Sequence, residues 1–370
     1  MKKGTIILTF IFGIFLICLF TINHNETINK LDDHETLVTK NQRDMIYNQI
    51  RQFPNETQIA ISLIKDDLCI FYGVIKQNDT IEQIDNKKSL FEIGSITKVF
   101  TTTLLADFIL DSTIALDRNI NNDLDFGLNK NIHICYKDLA NHTSGLPRRP
   151  INIVFPAIIS PLNPYKFYDT NRLEKYLKKK LTITRESGLK YEYSNLGIGI
   201  LGYLLCKIAK SDYETLLKEK IFSKYGLTNT TTIKENYKAN LVQGLGPFGN
   251  KTPNWDLASL EGAGNILSST SDLANFVKSQ FDTSNVELSL TRETTFVVDS
   301  TLEIGLGWHI LIDKSENNWY WHNGGTGGYR SSIVFDIDNK KGVIVLTNIS
   351  VGHRKNDQID DLCFELMKEL

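Results

Sequence analysis

Two residues set one turn apart, Ser95 and Lys98, have the types and spacing for acyl-transfer chemistry. After Ser95 the sequence ITKVFTTTLLADFIL is apolar at Ile96, Val99, Phe100, Leu104 and Leu105 and holds neither Gly nor Pro, so it predicts a buried helix with Ser95 at its N-terminus. A hydroxyl placed there meets free backbone N–H groups and the positive end of the helix dipole, which stabilise a developing oxyanion. Lys98 projects from the same face and can reach that hydroxyl, and its amine is the partner a poorly nucleophilic alcohol needs. Ser-x-x-Lys occurs three times, also as Ser62/Lys65 and Ser187/Lys190. Ser62 lies in the strand-like QIAISLI, where an offset of three puts the side chains on opposite faces, and Ser187 lies in a Gly-containing turn. Only Ser95/Lys98 has a helix to align the pair; without other motifs, a capping serine and a solvated lysine would be the plainer reading.

Tyr193-Ser194-Asn195 is the only Tyr-x-Asn and stands where the extended run LKYEY meets an apolar helix beginning at Leu196. A lysine ammonium beside Tyr193 would favour its phenolate, making it a general base for Ser95, while Asn195 offers an amide to a substrate carbonyl. Read alone, Tyr193 is equally an aromatic packing residue. His322-Asn323-Gly324-Gly325 closes a strand and holds the only His-x-Gly. Its glycines allow close approach of backbone to substrate, and the N–H of Gly325 is the candidate second oxyanion donor beside that of Ser95. The segment is otherwise a flexible turn; with no Gly-Lys-Ser/Thr after it, it is not a phosphate loop.

These groups need a scaffold, and 370 residues with 41% hydrophobic and 23% charged residues give ample length for a core. The net charge of −2 argues against nucleic acid as a partner. Seven scattered histidines and no Cys-x-x-Cys offer no metal site, and no cofactor is called for. Lys2-Lys3 followed by an apolar run over 4–22 reads as a signal peptide or an uncleaved signal anchor, directing export to a periplasmic or other extracytoplasmic location. Ile17, before Cys18, stands where a lipobox has a small residue. Residues 23–40 are polar and read as a linker. Cys69, Cys135, Cys206 and Cys363 fall in apolar patterns and are expected as buried free thiols.

Along the chain, 41–52 suggests a short helix, and QIAISLIK and LCIFYGVI around Asp66-Asp67 a hairpin. IEQIDNKKS reads as a loop leading to Ser95. From about 95 to 254 the pattern is helices and long loops, including CYKDLANHTSGLP, the basic amphipathic NRLEKYLKKKL and the apolar GIGILGYLLCKIAK. Residues 260–281 give a Gly-rich strand, a cap and a helix; four strand signals (GLGWHILI, NWYWHNGG, RSSIVFDID, GVIVLTNI) and a C-terminal helix follow. The expectation is an α/β (α+β) domain over 41–370, its antiparallel sheet drawn from about 41–94 and 255–370.

The ordered set FEIGSITKVF, LANHTSGLP, YEYSN, GAGNILSSTSDLANF and HNGGTGGYRSS resembles the serine β-lactamase and penicillin-binding protein superfamily, in its class C-related branch of β-lactamases, DD-carboxypeptidases, D-aminopeptidases and family VIII esterases. The resemblance spans roughly 45–370. It implies a β-lactamase/transpeptidase-like fold with the cleft between sheet and helical part, Ser95 as nucleophile, Lys98 as its activator and Tyr193 as general base. It further implies Asn195, His322, Gly324 and Gly325 as substrate and oxyanion contacts, and a monomer acting on a small-molecule or peptide acyl donor. His322 replaces the lysine of class C β-lactamases, and a neutral imidazole attracts a substrate carboxylate less. Amide, β-lactam and ester carbonyls all remain candidates. The absence of Gly-x-Ser-x-Gly disfavours an α/β-hydrolase, and a non-catalytic penicillin-sensing or peptidoglycan-binding domain is the alternative of another kind.

Overall fold

The computed structural model describes residues 27–32, 36–312 and 318–370. The apolar run 4–22, expected as signal or anchor, lies outside the described residues. The described residues begin with strand β1 (Ile28–Asn29), helix α1 (Lys40–Ile50) and strands β2 (Thr57–Lys65), β3 (Leu68–Gln77), β4 (Thr80–Ile84) and β5 (Phe91–Glu92). Helices α2 (Thr97–Leu110), α3 (Tyr136–Ala140), α4 (Val154–Ile159), α5 (Thr170–Lys179), α6 (Asn195–Ala209) and α7 (Tyr213–Leu217) come next. Then follow β6 (Leu267–Ser268), α8 (Thr270–Gln280), α9 (Val286–Arg292), β7 (Phe296–Val297) and β8 (Leu302–Ile304). The chain closes with β9 (His309–Ile312), β10 (Asn318–Gly325), β11 (Arg330–Asp336), β12 (Lys341–Thr347) and α10 (Gln358–Lys368).

Ten strands form one sheet in the order β1-β4-β3-β2-β12-β11-β10-β9-β8-β7, and β5 pairs with β6 apart from it. The two halves of the chain meet at the centre, where β2 runs antiparallel to β12 with Ile61 opposite Val345. The meander expected from four successive strand signals is β9 to β12. On β2, Ile59, Ile61 and Leu63 pack with Ile46 of α1 and Leu362 of α10, while Ala60 and Ile64 join the core that holds Phe100 of α2 and Val277 of α8. A central strand covered on both faces needs apolar residues at both parities, which is why this segment reads as a nearly continuous apolar run.

The structure departs from three expectations. The supposed loop at 81–89 begins with β4, which pairs antiparallel with β3 across Asn78 and Asp79, both at positive φ as a two-residue hairpin turn requires. The supposed linker holds β1, which pairs parallel with β4, and the fully buried Leu31 and Val38, while Thr39 caps α1 in a capping box. Cys363 is buried as expected, but Cys69, Cys135 and Cys206 are only half-buried; all four are free. Among the described residues no strand lies between β5 and β6, so the middle of the chain is helical as its composition suggested.

Candidate active site

β5 brings the chain to Gly94, whose φ of +51° turns it into a single tight 3-10 turn, Gly94–Ile96, from which α2 rises. Ser95 thus stands in the turn just before the helix. Helix α2 is apolar on nearly every side and buried along most of its length, so Lys98 has no water to reach: it is fully buried. Its Nζ is hydrogen-bonded to Ser95 Oγ at 2.9 Å and donates to the Ala263 carbonyl at 2.7 Å. Residues 260–263, expected to open a Gly-rich strand, belong instead to a kinked 3-10 segment spanning 258–263. Burial first, and then the Arg148 guanidinium, hold the Lys98 pKa well below its ordinary 10.5. An uncharged amine there has a lone pair for the serine proton.

Tyr193 closes the other side of Ser95. Its ring centroid lies 5.0 Å from Lys98 Nζ and 4.9 Å from Arg148 Cζ, and the ring of His142 stacks against it at 4.4 Å. Burial works against the expected phenolate: loss of water pushes the phenol up to about 12, outweighing the pull of the Ser95 hydroxyl and of Arg148. The same burial disfavours the charged form of the lysine that was to favour phenolate.

The segment 142–148 positions this corner. Ser194 caps α6 through Gly197 N–H and donates its hydroxyl to the Pro147 carbonyl at 2.8 Å, while the N–H groups of Asn195 and Leu196 donate to Arg148 O. Ser194 N–H donates to His142 Nδ1 at 3.2 Å and Glu192 N–H to His142 O, so the loop is laid along the Tyr193 segment. Asn195 donates through Nδ2 to Tyr165 OH, leaving Oδ1 without a partner among the described residues.

Strand β10 packs on the nucleophile turn. A β-carbon on Gly324 would lie 1.9 Å from the Ile93 carbonyl, and one on Gly94 2.6 Å from the Gly325 nitrogen, so both glycines are required by contact. Ser331 Oγ donates to the same Ile93 carbonyl at 2.8 Å. Behind the strand, Asp360 of α10 binds the Arg330 guanidinium and accepts from Asn323 Nδ2 at 2.8 Å, fixing the end of β10. The turn that carries Ser95 therefore lies against the end of β10 that carries Gly325, and both residues line one cleft.

His322 is buried behind the floor rather than in the cleft wall, its Nδ1 on the Asn323 carbonyl at 2.7 Å. With His142 and His309 it forms a cluster that the sequence did not announce: His309 lies 5.2 Å from His322 ring to ring, and its Nε2 shares a 2.8 Å hydrogen bond with Tyr191 OH. Burial holds all three imidazoles below their ordinary pKa, His309 at about 4, with Lys98 adding to the effect on each.

The cleft over Ser95 has a volume of about 430 Å³, and Tyr193, Asn195, Gly324 and Gly325 line it. So do Arg148, Arg149, Tyr165 and Trp255, which the sequence reading passed over. A larger cavity of about 860 Å³ beside α10 contains none of these reactive side chains. Among the described residues no group of His, Cys, Asp and Glu could hold a metal ion.

A family model described as Beta-lactamase matches residues 71–365. The chain is 26% identical over 347 residues to Beta-lactamase-like protein 2 of Dictyostelium discoideum, an alignment covering 87% of this chain and 60% of that protein. It is 23% identical to Protein flp of Staphylococcus aureus, covering 70% and 53%, and so spans little more than half the length of these two relatives. A Beta-lactamase of Pseudomonas fluorescens is 22% identical over 78% of this chain and 88% of its own. Among solved structures, D-alanine carboxypeptidase AmpC from Burkholderia cenocepacia superposes with a TM-score of 0.73 at 20% identity, covering 89% of this chain and 99% of that one. The octameric penicillin-binding protein homologue from Pyrococcus abyssi gives 0.73 at 21% identity, covering 86% and 75%.

Proposed function

Because the chain belongs to the beta-lactamase family of serine hydrolases, we propose that Ser95 is acylated by an amide or lactam whose leaving side carries a carboxylate: a β-lactam or a peptide ending in D-alanine. The observation that carries this reading is the 2.9 Å pairing of Ser95 with a desolvated Lys98, under a cleft rimmed by Arg148 and Arg149. The uncharged Lys98 amine takes the Ser95 proton as Oγ attacks the carbonyl carbon. The N–H groups of Ser95 and Gly325 receive the oxyanion, and Asn195 holds the acyl-side carbonyl. Tyr193, protonated at neutral pH, passes a proton to the leaving nitrogen and takes one back from Lys98. Water then attacks the acyl-enzyme carbonyl, and its proton passes through the same pair to Ser95 Oγ as the ester bond breaks. The two arginines supply the positive charge that His322 does not, which favours an anionic substrate; AmpC of Burkholderia cenocepacia, which shares the fold, is described as a D-alanine carboxypeptidase. The neutral, buried His322 favours a second reading, an esterase of the same fold. The apolar run 4–22 supports export, with the catalytic domain outside the cytoplasm.

Intact mass followed over time after mixing the full chain with benzylpenicillin, beside Ser95→Ala, tests this reading. A penicilloyl adduct on the wild type that fades as penicillin is consumed marks a β-lactamase. One that persists, with release of D-alanine from a peptide, marks a carboxypeptidase, and persistence with no turnover of any substrate marks a sensing domain. Hydrolysis that survives in Ser95→Ala overturns the mechanism.

A further inference from the structure

The segment around α4 holds an unusual share of the exposed apolar surface. Of the eighteen large hydrophobic residues that are exposed among the described residues, seven fall between 151 and 167. Ile151 and Ile158 are each 71% exposed and Phe155 60%, while Ile153, Pro156 and Tyr165 anchor the stretch to the core. A connection with no partner would be expected to carry polar residues there. Next to it, α5 buries Leu173, Tyr176 and Leu177 and turns its basic residues outward. Between the two runs a groove of about 660 Å³, with Ile151, Val154, Phe155 and Ile158 on one wall and Arg172, Lys175 and Lys180 on the other. Residues 148–180 contain eight basic and two acidic side chains in a chain whose net charge is −2; of these, Arg172, Lys175, Lys180 and Asp169 line the groove, so its charge is net positive.

We propose that this face docks on an anionic bilayer. The side chains of α4 enter the boundary between headgroups and acyl chains, and the basic residues of α5 meet the lipid phosphates, the division of labour of an interfacial amphipathic surface. Charge complementarity selects this occupant: two copies of the face would bring like charges together, whereas an anionic lipid layer satisfies both its charge and its apolar side chains. The docked face adjoins the cleft, since Trp255 donates its indole N–H to the Leu162 carbonyl at 2.9 Å and Arg148 and Arg149 stand at the rim. Docking therefore sets the mouth of the cleft at headgroup level, open to acyl donors held in that layer.

Hydrogen–deuterium exchange of the full chain, reconstituted in vesicles of phosphatidylglycerol or of phosphatidylcholine, tests this by reading amides 151–162 alone, whatever hold other residues have on the bilayer. Exchange there is expected to slow about fivefold or more in phosphatidylglycerol only, and to recover at high salt, as loss of one lysine contact at an anionic surface would predict in scale. Phe155→Ser/Ile158→Ser and Lys175→Glu/Lys180→Glu are each expected to abolish the slowing while leaving turnover of a soluble acyl substrate intact, which shows that the variants fold. Equal exchange in both vesicles overturns the proposal. So does protection without lipid that grows with protein concentration, which would assign the face to a second copy.

Discussion

At the floor of the cleft Lys98 has no exposed surface and three imidazoles are pushed towards their neutral form, whereas at its rim Arg148 and Arg149 stand exposed to water. Both regions are rich in basic side chains, yet they serve opposite ends. In the floor, burial disfavours charge and inclines a lysine towards its uncharged, proton-accepting form. In the rim, contact with water preserves charge, and a cation that cannot deprotonate can only attract. The same residue class thus does chemistry or recognition according to how much water it meets.

The largest effect should come from the floor. Lys98→Met keeps the volume and removes the base, and the acylation rate is expected to fall about a thousandfold, the scale of a positioned general base. The wild-type rate should rise from acid as Lys98 loses its proton, reaching its plateau well below pH 10.5 because burial lowers that pKa. The plateau should hold until the Tyr193 phenol ionises near 12. Stopped-flow acylation across pH checks both, and a Lys98→Met rate within tenfold of wild type would mean that the floor does not supply the base.

A smaller effect belongs to the rim. Arg148→Gln should raise KM for a carboxylate-bearing substrate about tenfold, the worth of one charge-assisted contact, while a neutral ester of similar size is affected little. The ratio of kcat/KM for the two substrates is the measurement. An equal loss on both would show that Arg148 acts through Tyr193, whose ring it covers, or through the backbone carbonyl that holds Asn195 and Leu196.

The comparison also marks what the sequence could reveal. Ser95/Lys98, Tyr193/Asn195 and Gly324/Gly325 were legible because each is a local pattern whose function follows from one helix start, one junction or one strand end. Arg148, Arg149, Tyr165 and Trp255 were not, since only tertiary folding carries these loop residues to one rim; LPRRP reads as a turn and nothing more. His142 stood in a quoted motif, but its task, accepting the Ser194 N–H, exists only once two distant loops lie side by side. The protonation of Tyr193 was misjudged because a neighbouring charge can be seen in sequence and the burial that cancels it cannot. β4 escaped for a simpler reason: of its residues only Ile81 is buried, so no apolar alternation announced a strand.

The smallest effect sharpens the contrast from within the floor. His309 is half-buried against Tyr191, Trp321 and His322 at the edge of the cleft, and loss of water is the main cause that lowers its pKa. Its pKa lies at about 4 in the fold against an ordinary value of 6.5, so on acidification the unfolded chain takes up a proton before the folded one does. Stability due to His309 is therefore complete above pH 6.5 and is lost as pH falls towards 4, by roughly 3 kcal/mol across the window. His142 and His322 are shifted in the same direction and steepen the decline. Calorimetric Tm measured from neutral pH downward should fall in this window for the wild type, and His309→Gln, which keeps a side chain able to bond Tyr191, should fall less steeply, by the share of one proton. If the two curves run parallel, His309 accepts its proton without unfolding, and water reaches the floor as freely as it reaches the rim.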